Sequence, residues 1–245
     1  MNFYGQHGED AIAWKAFEND KEFGVYVDIG AMDGIRFSNT YAFELAGWTG
    51  LCIEAHPYYY NIAKKNRPKS IVLHAAVSDK DSAYIDFNAN RYGSFSTLDK
   101  SLESYFKSYG FVFNGFETIQ VPQRTVRTLL QENEVQKVDF VSIDIEGTEL
   151  SALHGLGIET YMPRVIVVEA FNDPRHKRIA NYLSPFGYTM TRLIGNNYFF
   201  THRATDAQAI QAAHVDQNSL IHTLHPMSEE LQKKAAAETA IGKGK

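Results

Sequence analysis

The chain has 245 residues, of which 44% are hydrophobic and 13% aromatic, so it can form one compact core and is not intrinsically disordered over most of its length. Its net charge of -5, from 24 Lys plus Arg against 29 Asp plus Glu, argues against a nucleic-acid partner. The single cysteine, Cys52, excludes an internal disulfide and fits a reducing compartment. Neither a membrane-length apolar run nor a signal-peptide pattern is visible, so we expect a cytoplasmic protein without a membrane span.

The predicted elements alternate between short apolar strands and helices along the chain. Strands are predicted at residues 25–29, 51–53, 71–77, 139–143 and 165–168. Helices are predicted at residues 38–45, 57–67, 126–134, 149–156 and 176–183, followed by a hairpin of residues 188–194 and 198–201. This alternation is typical of βαβ units, and it predicts a doubly wound α/β fold with a mostly parallel sheet and helices on both faces.

Residues 88–117 interrupt the alternation and are rich in Asn, Ser, Gly, Tyr and Phe. A long irregular insertion in a compact domain is often functional, so we predict either a lid over the substrate or a structural flap. Its aromatic side chains could stack on a sugar or an apolar acceptor, or pack beneath the flap: Tyr92, Phe95, Tyr105, Phe106, Tyr109, Phe111, Phe113 and Phe116. We expect one domain over residues 1–203 and a helical extension over residues 204–245.

The first predicted strand leads into an Asp28-x-Gly30-x-x-x-Gly34 motif. Glycines at such a turn allow a sharp bend and a close approach between the backbone and a ligand. The spacing differs from the dinucleotide fingerprint, and Asp28 and Asp33 would repel a pyrophosphate. The motif therefore favours a cationic or zwitterionic ligand at the carboxyl end of this strand.

Acidic residues follow all five predicted strands: Asp28, Glu54, Asp79, Asp144 with Glu146, and Glu169. Each acid alone could be an exposed strand-end residue or a helix cap, but the recurrence favours a site, because ligands bind beyond the carboxyl ends of such strands. An acid at the position of Glu54 can accept hydrogen bonds from both hydroxyls of a ribose. The pattern predicts a nucleoside-containing ligand.

Four segments, residues 5–10, 28–40, 47–54 and 144–149, resemble the FkbM-type S-adenosylmethionine-dependent methyltransferases in their residues, order and spacing. The resemblance implies a class I methyltransferase fold, which is Rossmann-like and has a seven-stranded sheet whose last strand is antiparallel. It also implies O-methylation of a hydroxyl on a carbohydrate or a glycosylated metabolite. The sequence does not indicate an oligomeric state.

The resemblance implies ten cofactor-binding residues: Asp28, Gly30, Asp33, Gly34, Ser38, Asn39, Glu54, Ser78, Asp79 and Gln6. In this assignment the two glycines pass under the methionine portion, Asp28 faces its amino group, and Glu54 binds the ribose. Ser38 and Asn39 lie near the carboxylate of the ligand, and Ser78 and Asp79 lie beside the adenine. Gln6, Glu9 and Asp10 close over the ligand from the N-terminal segment, although a helix cap or an exposed polar face is an equally good interpretation of these three residues.

Catalysis on a hydroxyl requires a general base or a metal ion. Asp144, Glu146 and Glu169 are the candidates, because they lie at or just after the fourth and fifth predicted strands. Three carboxylates could also hold Mg²⁺ or Ca²⁺. His56 and His176 are alternative bases, although each is more typical of a surface residue.

Two other functions remain open from the residues. The first is a nucleoside-ligand binding module that has lost catalysis. The second is an NAD-dependent oxidoreductase, against which the acid-rich first loop argues.

Overall fold

The computed structural model describes residues 1–92, 95–108, 115–170 and 173–224. The helix expected after residue 228 lies outside the described residues, as do three of the insertion's aromatics, Tyr109, Phe111 and Phe113. In the described part of the chain, no helix is long and apolar enough to cross a membrane.

The described strands, in chain order, are β1 Val25–Ile29, β2 Thr49–Glu54, β3 Ile71–His74, β4 Ala76–Val77, β5 Ser82–Ala89, β6 Glu117–Arg124, β7 Phe140–Ile143, β8 Val165–Glu169, β9 Thr189–Ile194 and β10 Asn197–Thr201. Seven of them form a sheet in the order β3-β2-β1-β7-β8-β10-β9. Strands β3, β2, β1, β7 and β8 are parallel, and β10 is antiparallel to both of its neighbours. The predicted class I methyltransferase fold, with an antiparallel last strand, is confirmed.

The described helices are α1 Glu9–Trp14, α2 Tyr41–Leu45, α3 Pro57–Asn66, α4 Glu103–Lys107, α5 Val126–Glu132, α6 Glu149–His154, α7 Ile158–Tyr161, α8 Asp173–Leu183 and α9 Ala204–Ala212. They cover both faces of the sheet, as the β8 side chains show. Val165 and Val167 pack on one face with Phe43 of α2, while Ile166 and Val168 pack on the other with helices α5, α6 and α8. Because successive side chains of a strand point to opposite faces, burial on both sides requires the continuous apolar run in β8.

A second, three-stranded sheet has the order β4-β6-β5. The strand predicted over residues 71–77 is therefore two strands, and the prediction of one element was wrong. Strand β3 pairs with β2 as far as Glu54 and His74, where β2 ends, and β4 then pairs with β6 instead. The predicted insertion connects β5 to β6, which are antiparallel neighbours.

Candidate functional site

A cleft of about 970 Å³, open to solvent, lies at the carboxyl ends of β1, β2 and β7. This is the point where the strand order reverses between β1 and β7, the usual ligand position in such sheets. Seven of the predicted site residues line the cleft: Asp28, Gly30, Ser38, Asn39, Glu54, Asp144 and Glu146. The other six do not line it: Asp33, Gly34, Ser78, Asp79, Gln6 and Glu169.

The two motif glycines have positive φ values, 88° at Gly30 and 83° at Gly34, which favour glycine. A Cβ at Gly30 would lie 1.8 Å from the Asp144 carbonyl oxygen, and one at Gly34 would lie 2.7 Å from Cγ of Arg67. The protein's own packing therefore requires glycine at both positions. This requirement holds whether or not a ligand approaches the backbone there.

Asp28 ends β1 among hydroxyl donors and one cation. Its Oδ2 accepts hydrogen bonds from Oγ1 of Thr40 at 2.6 Å and from Oγ of Ser38 at 3.2 Å. The guanidinium of Arg67 lies 3.7 Å from the same oxygen. Burial raises the pKa of Asp28, whereas Arg67 and the two hydroxyls lower it. These three partners stabilise the charged form that the predicted role requires.

Glu54 joins two loops at the mouth of the cleft. Its Oε2 accepts the Met32 N–H at 2.7 Å, and its Oε1 accepts the His56 N–H at 2.6 Å. Burial raises the pKa of Glu54 to about 7, and these backbone hydrogen bonds oppose that rise. A carboxylate offers about four acceptor positions, so two more remain for ligand hydroxyls.

Asn39 contacts the N-terminal segment. Its Nδ2 donates to Oγ of Ser142 at 3.2 Å, whereas its Oδ1 is buried with no hydrogen-bond partner among the described residues. A Cβ at Gly5 would lie 3.0 Å from that Oδ1 and 2.8 Å from carboxylate oxygens of both Glu9 and Asp10. The N-terminal segment therefore packs beside the cleft through its backbone and its acids, and Gln6 is exposed.

The residues predicted beside the adenine point elsewhere. Ser78 is buried and accepts a hydrogen bond from Nε2 of Gln123, and Asp79 is exposed. Apolar side chains line this part of the cleft instead: Ala75, Ala76, Val77 and Phe87. Asp33 caps its own turn by accepting the N–H groups of Ile35 and Arg36.

Three carboxylates meet at the ends of β7 and β8. One oxygen from each of Asp144, Glu146 and Glu169 lies within 4.8 Å of the other two. Burial raises the pKa of Asp144 although this residue is accessible from the cleft, because protein surrounds it on its other sides. Burial and the charge of Asp144 raise the pKa of Glu169 above its usual range, and the hydrogen bond between the two acids lowers the pKa of Asp144. This contact therefore favours the charged form at Asp144 and the neutral form at Glu169.

The segment after β7 has an unusual backbone and two unpartnered polar atoms. Glu146 has a φ of 58°, and its carbonyl accepts a hydrogen bond from Oγ1 of Thr97 at 2.7 Å. Among the described residues, Oε2 of Glu146 and Oγ1 of Thr148 are buried without a hydrogen-bond partner. Burial and the charges of Asp144 and Glu149 raise the pKa of Glu146 well above its ordinary value. A buried group of this kind requires a ligand, a water molecule or a proton to satisfy it.

Part of the predicted insertion forms one wall of the cleft, through Ser96 and Leu98. Arg175 of α8 holds this wall in place, because it donates to the Gly147 carbonyl at 2.7 Å and to the Asp99 carboxylate at 3.3 Å. Phe106 is buried, which favours packing over stacking on an acceptor for that residue.

The two predicted alternative bases have structural contacts. Nδ1 of His56 accepts the Tyr58 N–H at the start of α3, and burial lowers the pKa of His56. The His176 ring stacks on Tyr198 with 4.8 Å between ring centroids. Neither residue lines the cleft.

The strand order and the position of the cleft are those of the class I methyltransferase fold. The sequence matches the family described as "Methyltransferase FkbM domain" over residues 28–190, more than half of its length. The chain therefore belongs to the FkbM methyltransferase family and is an S-adenosylmethionine-dependent methyltransferase. The family and the fold favour neither the binding module nor the NAD-dependent oxidoreductase.

Comparison with solved structures finds several other methyltransferases at low sequence identity. Precorrin-6y C5,15-methyltransferase from Geobacter metallireducens is 13% identical, with a TM-score of 0.41 over 78% of this chain and 84% of that one. The ribosomal protein L11 methylase from Lactobacillus delbrueckii is 11% identical, with a TM-score of 0.42 over 80% and 78%. Human methyltransferase 10 domain containing protein is 12% identical, with a TM-score of 0.43 over 81% and 83%. No curated protein matches the sequence significantly.

Sequence reasoning missed three residues of this site: Arg67, Thr40 and Thr148. Arg67 follows two lysines at the end of α3, where a basic residue normally indicates an exposed helix end. The hydroxyls of Thr40 and Thr148 carry no spacing signal. Only the fold shows that these side chains reach the cleft or its supporting loop.

Proposed function

We propose that this methyltransferase transfers a methyl group to a hydroxyl of a carbohydrate or a glycosylated metabolite in the cytoplasm. The observation that supports this proposal best is the close approach of three carboxylates at the cleft edge, where one oxygen from each of Asp144, Glu146 and Glu169 lies within 4.8 Å of the other two. Since the hydrogen bond from Glu169 favours the charged form of Asp144, this carboxylate can accept a proton. A hydroxyl acceptor needs such a group, because its proton must leave as the new bond forms.

We assign the cofactor to the half of the cleft formed by β1, β2 and β4. Asp28 faces the amino group of the methionine portion, and the backbone at Gly30 lies beneath that portion. Glu54 uses its two remaining acceptor positions for the ribose hydroxyls. Ser38 and Asn39 lie on the side of the ligand carboxylate. The apolar surface around Val77 takes the adenine, and Asp33, Gly34, Ser78, Asp79 and Gln6 support or border this half without lining it.

Bound S-adenosylmethionine supplies an electrophilic methyl group on a sulfonium. The chain then has to hold the acceptor oxygen in line with that group and remove its proton. Methyl transfer would form the oxygen–carbon bond as the carbon–sulfur bond breaks, and Asp144 would take the hydroxyl proton. Glu146 and Glu169 position the acceptor and adjust the charge of Asp144. The products are a methyl ether, S-adenosylhomocysteine and a proton on the carboxylate.

A second use of the same acids is a Mg²⁺ or Ca²⁺ site. The three carboxylates supply hard oxygen donors within 4.8 Å of one another, and Oε2 of Glu146 has no protein partner among the described residues. In that case a metal ion would lower the pKa of the acceptor hydroxyl. Treatment with a chelator, followed by Mg²⁺, decides between the two. Activity lost with chelator and restored by Mg²⁺ supports the metal site, and unchanged activity supports a direct base.

The acceptor class follows from charge. The charged Asp144 carboxylate at the acceptor side repels phosphate groups, so a neutral polyhydroxyl acceptor suits it better than an oligonucleotide. The test is release of S-adenosylhomocysteine with a panel of sugars, glycosylated metabolites and a short RNA, after calorimetry with S-adenosylhomocysteine and NAD. Turnover of a sugar supports the proposal, and turnover of RNA alone contradicts the acceptor class. Binding of S-adenosylhomocysteine without turnover of any acceptor would indicate the inactive binding module.

A further inference from the structure

Arg67 is fully buried beneath the loop that follows β1, although it is a charged residue at the end of a helix. Its Nη1 donates to the Gly34 carbonyl at 2.9 Å, which holds the second motif glycine. Its Nε donates to Oε2 of Glu44 on α2, also at 2.9 Å. One guanidinium therefore connects α3, the glycine loop and α2.

The same guanidinium fixes the direction of two hydroxyl groups. Nη2 of Arg67 donates to Oγ1 of Thr40 at 2.9 Å, and Nη1 donates to Oγ of Ser38 at 3.2 Å. Arginine is a donor only, so each hydroxyl must accept from Arg67 and is left to donate its own hydrogen elsewhere. Both hydroxyls donate that hydrogen to Oδ2 of Asp28, at 2.6 Å and 3.2 Å.

We infer that Arg67 is a positioning residue for the cofactor, which acts through Thr40 and Ser38 to hold Asp28 charged and aimed into the cleft. This inference rests on the proposed role of Asp28 toward the cofactor. Without Arg67, the two hydroxyls could rotate toward other acceptors, and Asp28 would lose its cationic neighbour. The Gly34 carbonyl would also lose its donor, so the loop beneath the ligand would lose its fixed position.

Stability alone is a weak reason for this arginine. A buried ion pair is often no more stabilising than an apolar side chain of similar volume, because desolvation of both charges opposes their attraction. Arg67 instead donates four hydrogen bonds, in different directions, to groups that line or support one ligand site. This geometry is what positioning a carboxylate requires.

The first test compares Arg67→Lys with a matched control, Arg164→Lys. Arg164 is also mostly buried and donates to Asp206 and to the Ala16 carbonyl, but it does not line the cleft or contact its loops. Binding of S-adenosylhomocysteine is measured by calorimetry at a temperature where circular dichroism shows each variant folded. We expect Arg67→Lys to weaken binding about tenfold or more, as loss of charge-assisted hydrogen bonds would do. Arg164→Lys should stay within about twofold of the parent protein, whatever its melting temperature.

A gentler variant, Thr40→Val, nearly keeps the shape and removes one of the two hydroxyls that connect Arg67 to Asp28, while Ser38 still connects them. Thr40→Val should weaken binding of S-adenosylhomocysteine about threefold or more, because Asp28 loses one hydrogen bond. If Arg67→Lys does not fold, the Thr40→Val result decides. Parent-like affinity in the folded variants would overturn the inference and leave Arg67 a purely structural residue. A parent protein that does not bind S-adenosylhomocysteine at all would instead overturn the cofactor assignment itself.

Discussion

The two halves of the cleft differ in how far the protein satisfies its own polar groups. On the cofactor side, Asp28 accepts from two hydroxyls and Glu54 accepts from two backbone N–H groups, and of the described residues there only Asn39, through its Oδ1, leaves a buried side-chain atom without a hydrogen-bond partner. On the acceptor side, Oε2 of Glu146 and Oγ1 of Thr148 are buried without a hydrogen-bond partner in the part of the chain that the structure describes. The two carboxylates on the proposed cofactor side are therefore preorganised, whereas the Glu146 carboxylate on the proposed acceptor side has hydrogen-bonding capacity that a ligand can use.

This difference matches what each half has to do. The cofactor always has the same structure, so a rigid site can bind it with higher affinity, since preorganised groups lose little entropy when the ligand binds. Unsatisfied buried groups cost stability and tend to persist at functional sites. We therefore expect substitutions on the two halves to separate binding from turnover, and the following experiments test that separation.

The largest effect should come from Asp144→Asn. The amide keeps the shape but cannot take the hydroxyl proton, so turnover should fall about 10²-fold or more, the usual scale for a lost general base. Affinity for S-adenosylhomocysteine, measured by calorimetry, should change little. Glu18→Gln on the surface, where Glu18 pairs with Lys15, is the control. Near-parent turnover of the Asp144→Asn variant would move the base assignment to another residue.

Glu54→Ala should have the opposite profile. We expect affinity for S-adenosylhomocysteine to fall about tenfold or more, because hydrogen bonds to a charged group are each worth about 1.5–3 kcal/mol. The melting temperature of the ligand-free protein should also drop, since the N–H groups of Met32 and His56 lose their acceptor. Calorimetry and thermal denaturation measure the two effects separately. Unchanged affinity would show that Glu54 only joins the two loops.

Two buried carboxyl groups, those of Glu54 and Glu149, should make the free energy of unfolding depend on pH. Burial raises the pKa of Glu54 and of Glu149 from 4.5 to about 7 in the folded protein. Each therefore binds a proton in the folded state that the unfolded chain releases, so stability should fall as pH rises between about 4.5 and 7. Each group should contribute a slope of up to about 1.4 kcal/mol per pH unit in that window.

Urea denaturation of the ligand-free protein at pH 5.5, 6.5 and 7.5 measures that slope. Glu54→Gln and Glu149→Gln should each reduce the slope of the unfolding free energy against pH, because each variant removes one of the two titrating groups. A slope that neither variant changes would show that these two carboxyls titrate normally in the folded protein.

The smallest effect should come from Arg175→Ala, which removes the hydrogen bonds to the Gly147 carbonyl and to Asp99. Since this arginine fixes the wall of the acceptor side, the KM of the acceptor should rise a few-fold, roughly the value of one or two partly exposed hydrogen bonds. Affinity for S-adenosylhomocysteine should not change. A matching loss of cofactor affinity would mean that the two halves are not separable.

Local pattern was sufficient for the main sheet and for the acids that meet at one edge of it. The apolar run of β8 requires burial on both faces, and the acids after successive strands meet at one edge because parallel strands end there. The break between β3 and β4 could not be predicted, because it depends on β6, which comes more than forty residues later. The hydrogen-bond partners of Arg67 lie within residues 28–44, far from it in sequence. The residues next to Arg67 in the sequence therefore do not indicate that it is buried.

The acceptor half could be predicted only as a set of acids. Nothing in residues 144–149 indicates that Glu146 has a left-handed backbone or that Thr97 donates to its carbonyl. The family resemblance implies that Ser78 and Asp79, which follow the third predicted strand, lie beside the adenine. The pairing of β4 with β6 turns them away and leaves apolar side chains in that place.

The connection between β5 and β6 has a consequence for how such an enzyme can change its substrate. Its ends are paired directly, Ala89 opposite Glu117 and Asn88 opposite Thr118, so the intervening chain starts and finishes at neighbouring points of the small sheet. Lengthening a loop that is closed in this way adds little entropic penalty, since that penalty grows only with the logarithm of length. We therefore expect changes of length within this connection to alter the wall formed by Ser96 and Leu98 while the contacts of Asp28 and Glu54 stay in place.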